Sequence, residues 1–347
     1  MRAKEWINQL SQLGSLPREG YRALLLLDDK EDAPYLHQRA REVAQLSFGR
    51  EVYLRGLVEI TNRCRNNCYY CGIRSANMQV NRYSLSHDEV LECCRVGSER
   101  GFRTFVLQGG DDSSMSDDWI VELVAKIRQT YPDSAITLSL GERGEELFRR
   151  AFEAGANRYL LRHETHNPEH YRELHPRAMS LDNRLQSLDT LKRIGYQCGT
   201  GIMVGSPHQT LDHIIEDVKY IEGFKPEMVG IGPFIPHSAT PFASFPSGSI
   251  ELTLRLISIF RLMNPKALIP ATTALATIDP DGGRERGILA GANVIMPNIS
   301  PLEVRGDYSL YNDKASLGAE SGEGLRLLEE TLARIGYKIS FKRGDYE

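Results

Sequence analysis

Apolar residues along the chain follow two rhythms, and the change between them falls near residue 50. In the first 48 residues, Leu10, Leu13, Tyr21 and the Leu24 to Leu27 cluster are separated by polar breaks. That pattern predicts a helical lead-in with no site chemistry of its own. From residue 51 onward, short β-prone apolar runs alternate with amphipathic stretches, as in a parallel sheet with crossover helices. Eight such runs are present: Tyr53 to Ile60, Thr104 to Leu107, Ala135 to Leu140, Arg158 to Leu161, Gly199 to Val204, Met228 to Ile235, Ala267 to Ala274 and Ala292 to Met296. The stretches between them carry helix signals. Ser86 and Glu89 form a capping box, and Gly101 closes that helix. After Thr210, Leu211, Ile214, Ile215, Val218 and Ile221 repeat at helical spacing, and Leu325, Leu328, Leu332 and Ile335 mark a helix near the C-terminus.

Eight is the strand number of a (β/α)8 barrel, and such α/β barrels run to about 250 residues or more as one unit. No internal repeat or low-complexity linker marks a boundary. The predicted organisation is a helical extension over 1–48, a complete (β/α)8 TIM-type barrel over 49–300, and an extension over 301–347 whose helix closes the barrel.

Charge is nearly balanced, with 42 basic against 46 acidic residues, and the basic ones are scattered. No stripe could track phosphates, so a nucleic-acid partner is not expected. The N-terminal MRAKEWINQL lacks an apolar signal core, and the longest aliphatic run, Ala23 to Leu27, is far short of a membrane span. The expected location is therefore cytoplasmic, without a membrane partner. Six cysteines in a chain this long make no disulfide framework, which points to a reducing compartment. Cys93, Cys94 and Cys198 lie among apolar neighbours and read as core.

The other three stand in Cys64-Arg-Asn-Asn-Cys68-Tyr-Tyr-Cys71, directly after the first strand run. Loops at that position build the catalytic face of a barrel. Among six cysteines in 347 residues this spacing arises by chance at roughly 0.002 over all starts. Three thiolates can hold three irons of a 4Fe-4S cube and leave the fourth iron to a small chelating ligand. Zinc is the alternative, but a structural zinc takes four protein ligands and no fourth Cys or His lies nearby in sequence. Tyr69 and Tyr70 either shield such a cluster or simply pack.

The Cys-x3-Cys-x-aromatic-Cys spacing resembles the radical S-adenosylmethionine superfamily. Further segments are similar to its HydE family of FeFe-hydrogenase maturases. They are Ser139-Leu-Gly141-Glu142, Arg158-Tyr-Leu-Leu-Arg162-His163-Glu164-Thr165, Met228 to His237, Ile269 to Ala274 and Asn293 to Asn298. This resemblance implies one 4Fe-4S cluster, S-adenosylmethionine as cosubstrate and a 5'-deoxyadenosyl radical, made where barrel walls exclude water. It further implies a small anionic iron-containing or cysteine-derived substrate, specifically an iron-carbonyl-cyanide-cysteine precursor of the hydrogenase diiron site. A reductant such as ferredoxin or flavodoxin and other hydrogenase maturases would be its partners. Methylornithine synthase and biotin synthase share barrel and triplet, but Arg162-His163-Glu164-Thr165 and Gly232-Pro-Phe-Ile-Pro236 speak against them. A scaffold that carries an iron complex without radical chemistry is the reading from another class. Some members of the family carry C-terminal cysteines for a second cluster. This chain has none after Cys198, and 314–320 reads KASLGAE, so a second cluster is not expected.

At the level of single residues, Gln108-Gly109-Gly110-Asp111 ends the second strand run, where small residues let backbone approach a ligand. Taken alone it is an ordinary strand-to-helix turn; the resemblance implies that Gly109, Gly110 and Asp111, with Ser139, Met203 and Gly205, contact the cosubstrate. Arg158, Arg162 and Glu164 alternate, which points them to one side of the sheet. Charges inside a barrel are costly unless paired or liganded. They form either an internal salt-bridge network or a site. On the resemblance, Arg184 takes the methionine carboxylate and Glu164 holds that arginine or the ribose, an Arg fork matching a carboxylate. Arg158 and Arg162 then line an anion-holding cavity, with Thr137, Thr272, Thr273, Met228 and Met296 as further substrate contacts. Tyr308 and Tyr311 match the family's tyrosines near the reacting substrate, able to supply a hydrogen bond or a proton. Without the resemblance the threonines are strand residues, the methionines core filler and the tyrosines packing.

Overall fold

The computed structural model describes residues 3–315 and 321–346. Positions 316–320, part of the 314–320 stretch noted above, lie outside the described residues. In chain order the elements are α1 (Ala3–Leu13), α2 (Arg18–Leu25), α3 (Ala33–Phe48), β1 (Glu51–Leu54), β2 (Gly56–Thr61), α4 (His87–Glu99), β3 (Thr104–Gly109), α5 (Asp117–Thr130), β4 (Ala135–Ser139), α6 (Glu145–Glu153), β5 (Arg158–Leu160), α7 (Pro168–Leu174), α8 (Leu181–Ile194), β6 (Gln197–Val204), α9 (Leu211–Phe224), β7 (Met228–Pro233), α10 (Ile250–Met263), α11 (Thr273–Ile278), α12 (Gly283–Leu289), β8 (Val294–Ile295), α13 (Leu302–Arg305), α14 (Leu325–Arg334) and β9 (Lys338–Ser340). Strands β2 to β7 form a six-stranded, all-parallel sheet in sequence order, and β8, β1 and β9 form a second, three-stranded one. Single parallel bridges lead onward from β7: Met228 to Leu268, Pro270 to Val294, and Asn298 back to Leu57 on β2.

Local chemistry accounts for these boundaries. The Ser86 hydroxyl accepts from the Glu89 N–H, and the Glu89 carboxylate accepts from Ser86 N–H at 2.7 Å, so the box does cap α4. Thr210 caps α9 in the same way, with His213 as its reciprocal partner. The first expected run is broken at Arg55 into β1 and β2. The seventh, Ala267 to Ala274, yields bridges but no strand. Pro270 lacks a donor, the Ile269 N–H is taken at 2.9 Å by the Asn293 side chain, and Thr273 already opens α11. Strand β9, which pairs with β1, has no counterpart among the eight runs.

Apolar faces of the helices cover the sheet, and Phe105, Ile136, Tyr159, Ile202 and Ile231 belong to one buried cluster with Tyr21, Leu24 and Leu36 of the N-terminal helices. Cys93, Cys94 and Cys198 are buried within it, as expected of core residues. Among the described residues no helix is long and apolar enough to cross a membrane.

Candidate active site

The loop after β2 carries the cysteine triplet and is held by backbone-directed side chains. Arg82 donates to the carbonyls of Asn62, Ile73, Arg74 and Asn77 at 2.5–3.0 Å. The Asn77 amide donates to Gly72 O at 2.7 Å, and Gly72 N–H donates to Leu310 O at 2.8 Å. The end of β3 presses against the same loop. A Cβ on Gly110 would sit 2.1 Å from Arg63 O and 2.8 Å from Cys64 Cβ, so only glycine fits there. The next N–H, that of Asp111, donates to Cys64 Sγ at 3.4 Å. The Asp111 carboxylate turns toward the loop, where it accepts from Arg65 Nε at 3.0 Å and Asn66 Nδ2 at 3.3 Å. It anchors the loop and does not line the cavity beside it.

That cavity, about 340 Å³, opens where the strands end. Its lining includes Tyr70, Cys71, Gly109, Ser139, Gly141, Glu164, Arg184 and Met203 together with Arg162, Thr272, Thr273, Met296, Tyr308 and Tyr311. A larger cleft of about 640 Å³, lined by Asp189, Lys192, Arg193 and Lys219 on the outside of α8 and α9, carries none of these groups. Arg184 pairs through Nε with Glu142 and donates through Nη1 to Arg162 O at 2.6 Å. Burial opposes its charge, but the neighbouring Tyr171, Glu142 and Tyr70 together more than offset this, and the guanidinium stays protonated. Glu164 holds a backbone φ of 65°, uncommon for a side chain with a Cβ, and its N–H donates to Gly201 O at 3.0 Å. Its Oε2 stands 2.9 Å from Arg162 Nη2 as an ion pair. The pair lacks hydrogen-bond geometry: Arg162 Nε and Nη2, Glu164 Oε2 and, nearby, Thr272 Oγ1 are buried without a hydrogen-bond partner.

Residues 58–221 match the Radical SAM superfamily. The chain is 43% identical over 297 residues to the [FeFe] hydrogenase maturase subunit HydE of Thermotoga maritima, covering 86% of this chain and 84% of that protein. This chain belongs to the HydE family of radical SAM enzymes. It is also 32% identical to 3-methylornithine synthase of Methanosarcina barkeri, over 87% of this chain and 88% of that protein. The crystal structure of methylornithine synthase (PylB) superposes with a TM-score of 0.85 at 29% identity, covering 96% and 97% of the two chains. The FeFe-hydrogenase maturase HydG, 21% identical, shares the fold with a TM-score of 0.81, over 98% of this chain and 76% of that one.

Membership of this family implies a 4Fe-4S cluster and S-adenosylmethionine, and the residues present fit both. Cys64, Cys68 and Cys71 are free thiols near enough to feel one another's charge. Burial pushes each thiol up, Cys68 to about 12, so thiolates there require the compensating charge of metal. Among the described residues, no three His, Cys, Asp or Glu groups are placed to hold a single ion, so the triplet is not arranged as a one-ion cage. Arg184, only 7% exposed and still charged at the cavity wall, fits a carboxylate such as that of the cosubstrate methionine.

Three of the expected substrate contacts are not in the cavity. Arg158 starts β5 at the opposite, N-terminal end of the sheet, fully buried; its Nη2 meets Asp345 Oδ1 at 2.7 Å and Gly344 O at 2.8 Å. Thr137 pairs in register with Arg158 and lies at that same end. Met228 starts β7, where its sulfur accepts from Arg55 Nη1 at 3.2 Å. Arg158 and Met228 are the first residues of their strands and Thr137 the middle residue of its own, whereas the cavity collects residues from strand ends. Gly205, expected at the cosubstrate, is not among the residues lining the cavity. Its φ is 73°, and a Cβ there would lie 2.6 Å from Gly248 Cα. The carboxylate that holds Arg184 is Glu142 and not Glu164, although Glu142 stands in the Ser139-to-Glu142 segment already singled out. Glu59 and Lys314, both lining the cavity, carry no local motif and were missed.

Proposed function

We propose that this enzyme uses one 4Fe-4S cluster, on Cys64, Cys68 and Cys71, to act on an iron-carbonyl-cyanide-cysteine precursor of the FeFe-hydrogenase diiron site. The observation that carries this reading is the Arg162 guanidinium, which faces the cavity of Cys71 with two N–H groups lacking hydrogen-bond acceptors. Such a group in a lined cavity calls for an anionic ligand. When bound, the cluster and S-adenosylmethionine supply the 5'-deoxyadenosyl radical. Arg184, braced by Glu142, receives the methionine carboxylate; Gly109 and Gly110 offer backbone, Ser139 and Glu164 polar contacts, and Met203 an apolar wall. Arg162, Thr272, Thr273 and Met296 orient the substrate. Burial raises the hydroxyls of Tyr308 and Tyr311, so both stay protonated and act as hydrogen-bond donors.

The same reading includes a closed eightfold barrel over 49–300 between its two extensions, formed if the bridges beyond β7 count as the seventh and eighth staves. It also includes a reducing cytoplasm, ferredoxin or flavodoxin as electron source, and other maturases as recipients of the product. Anaerobic reconstitution, dithionite and S-adenosylmethionine should yield 5'-deoxyadenosine, and the protein should restore hydrogenase activity to an extract lacking its own maturase. A fully loaded cluster that forms no 5'-deoxyadenosine would sink the enzyme reading.

A second reading, rearrangement of a free amino acid, is favoured by the 0.85 TM-score with methylornithine synthase. Turnover of lysine to 3-methylornithine would establish it in place of the first.

A further inference from the structure

One ion pair in the cavity is unused by the reading above. Glu59, in β2, is 0% exposed, and its oxygens take separate partners: Oε1 the Lys314 ammonium, Oε2 the Asn298 Nδ2 at 2.8 Å. The Lys314 side chain is 10% exposed. Its Nζ also donates to Tyr308 O at 3.0 Å and lies 4.9 Å from the centre of the Tyr308 ring. Glu59 and Lys314, 255 positions apart in the chain, both line the cavity that holds Cys71 and Arg162. Burial raises the Glu59 carboxyl, and the lysine beside it only partly offsets this.

As a device for stability such a pair is weak, since desolvating two charges consumes most of their attraction. At a cavity wall it can do something else, which is to exchange partners. A ligand with one carboxylate and one ammonium on adjacent carbons offers each member of the pair a replacement. We propose that Glu59 and Lys314 read the α-amino-acid end of the substrate, Lys314 receiving its carboxylate and Glu59 its ammonium. The exchange conserves charge: a neutral pair opens around a neutral zwitterion, and each group trades one charge-assisted hydrogen bond for another. Asn298 and the Tyr308 carbonyl fix the two side chains while they change partners. Arg162, ion-paired with Glu164 but with Nε and Nη2 lacking hydrogen-bond acceptors, faces the same cavity for a further anionic part of the same molecule. The inference rests on reading this cavity as the substrate pocket, and it adds the two residues that would recognise the amino-acid end of the precursor's cysteine.

The test uses the cluster-loaded full chain and three thiol probes: L-cysteine, cysteamine without the carboxylate, and 3-mercaptopropionate without the amine. Equilibrium dialysis should give L-cysteine about tenfold tighter than either, the worth of one charge-assisted hydrogen bond. K314M should bring L-cysteine down to the cysteamine level, and E59Q to the 3-mercaptopropionate level. K314R, which keeps the charge, should retain the carboxylate preference and serves if K314M does not fold. The exchanged pair E59K/K314E should regain thermal stability without regaining the L-cysteine preference. Equal affinity for the three probes, no binding of L-cysteine, or variants that weaken all three alike while lowering the melting temperature would each overturn the proposal. If the wild type discriminates among the probes yet matures no hydrogenase, the reading of function fails and amino-acid recognition stands. Maturation without discrimination removes only this inference.

Discussion

Arg158 and Arg162 stand four positions apart at the start and just past the end of β5, and the protein treats them in opposite ways. Arg158 is closed off on every side: the Asp345 carboxylate, the carbonyls of Arg343 and Gly344, Gln197 and Thr104 all lie within 3.4 Å of its nitrogens. Arg162, at the cavity, has an ion pair with Glu164 but leaves Nε and Nη2 without acceptors. Arg55, beside Met228, also keeps two nitrogens unpartnered, yet it lines no part of the cavity. The lesson is that neither burial nor charge marks a site. What distinguishes Arg162 is an unmet hydrogen-bonding demand that opens onto the same space as the reactive groups.

If that contrast is sound, damage at the cavity should remove chemistry and damage at the other end should remove stability. The largest effect is expected from replacing Cys64, Cys68 or Cys71 by alanine. Cluster absorbance and 5'-deoxyadenosine should both fall to background, whereas a carrier without radical chemistry would still mature hydrogenase. Next, R162A should lower maturation about 10- to 100-fold, the value of one or two charge-assisted hydrogen bonds, with little change in melting temperature. A parallel loss of stability would show Arg162 to be structural and break the comparison. Conversely, D345A strands the Arg158 charge among neutral acceptors. It should cost about 2 kcal/mol of stability, less than for a fully broken buried pair because carbonyls still accept. The protein that remains folded should form 5'-deoxyadenosine at the wild-type rate.

The smallest effect concerns the support behind Arg162 and Glu164. His163 hydrogen-bonds Thr200 at 2.8 Å, and its Nε2 lies 3.6 Å from Asp217, a fully buried acid that burial pushes up to about 8. Between the ordinary 3.8 and about 8 the native state holds this proton more tightly than the unfolded chain. Its contribution to stability is therefore complete at low pH and lost as pH rises toward 8. His163, which burial lowers to about 3, has the opposite slope, losing stability as pH falls from 6.5. Thermal melts at pH 6.5 and 8.5 should thus show a fall in the wild type that D217N lacks; equal falls would mean that Asp217 is ionised throughout.

Much of this was legible in the sequence where the signal is local. The cysteine spacing, the Ser86 box and the helical repeat after Thr210 each depend on residues a few positions apart. Period-two alternation grouped Arg158 with Arg162 but could not say at which end of the sheet each would lie. It also carried over to Glu164, beyond the end of β5, where the chain has left the strand and turned to positive φ. Likewise Asp345 is 187 positions from Arg158, and no spacing rule connects them. Glu59 reads as an oddity within an apolar run until Lys314 is seen against it.

The late pairing of Arg158 has a consequence for biogenesis. Its counter-charge and two of its carbonyl acceptors come from residues 343–345, and β9, just before them, zips onto β1. Until those residues have been synthesised, the buried Arg158 charge has only Gln197 and Thr104 to accept from it. Completion of this part of the core therefore waits on residues 343–345, long after the cysteine loop has been made.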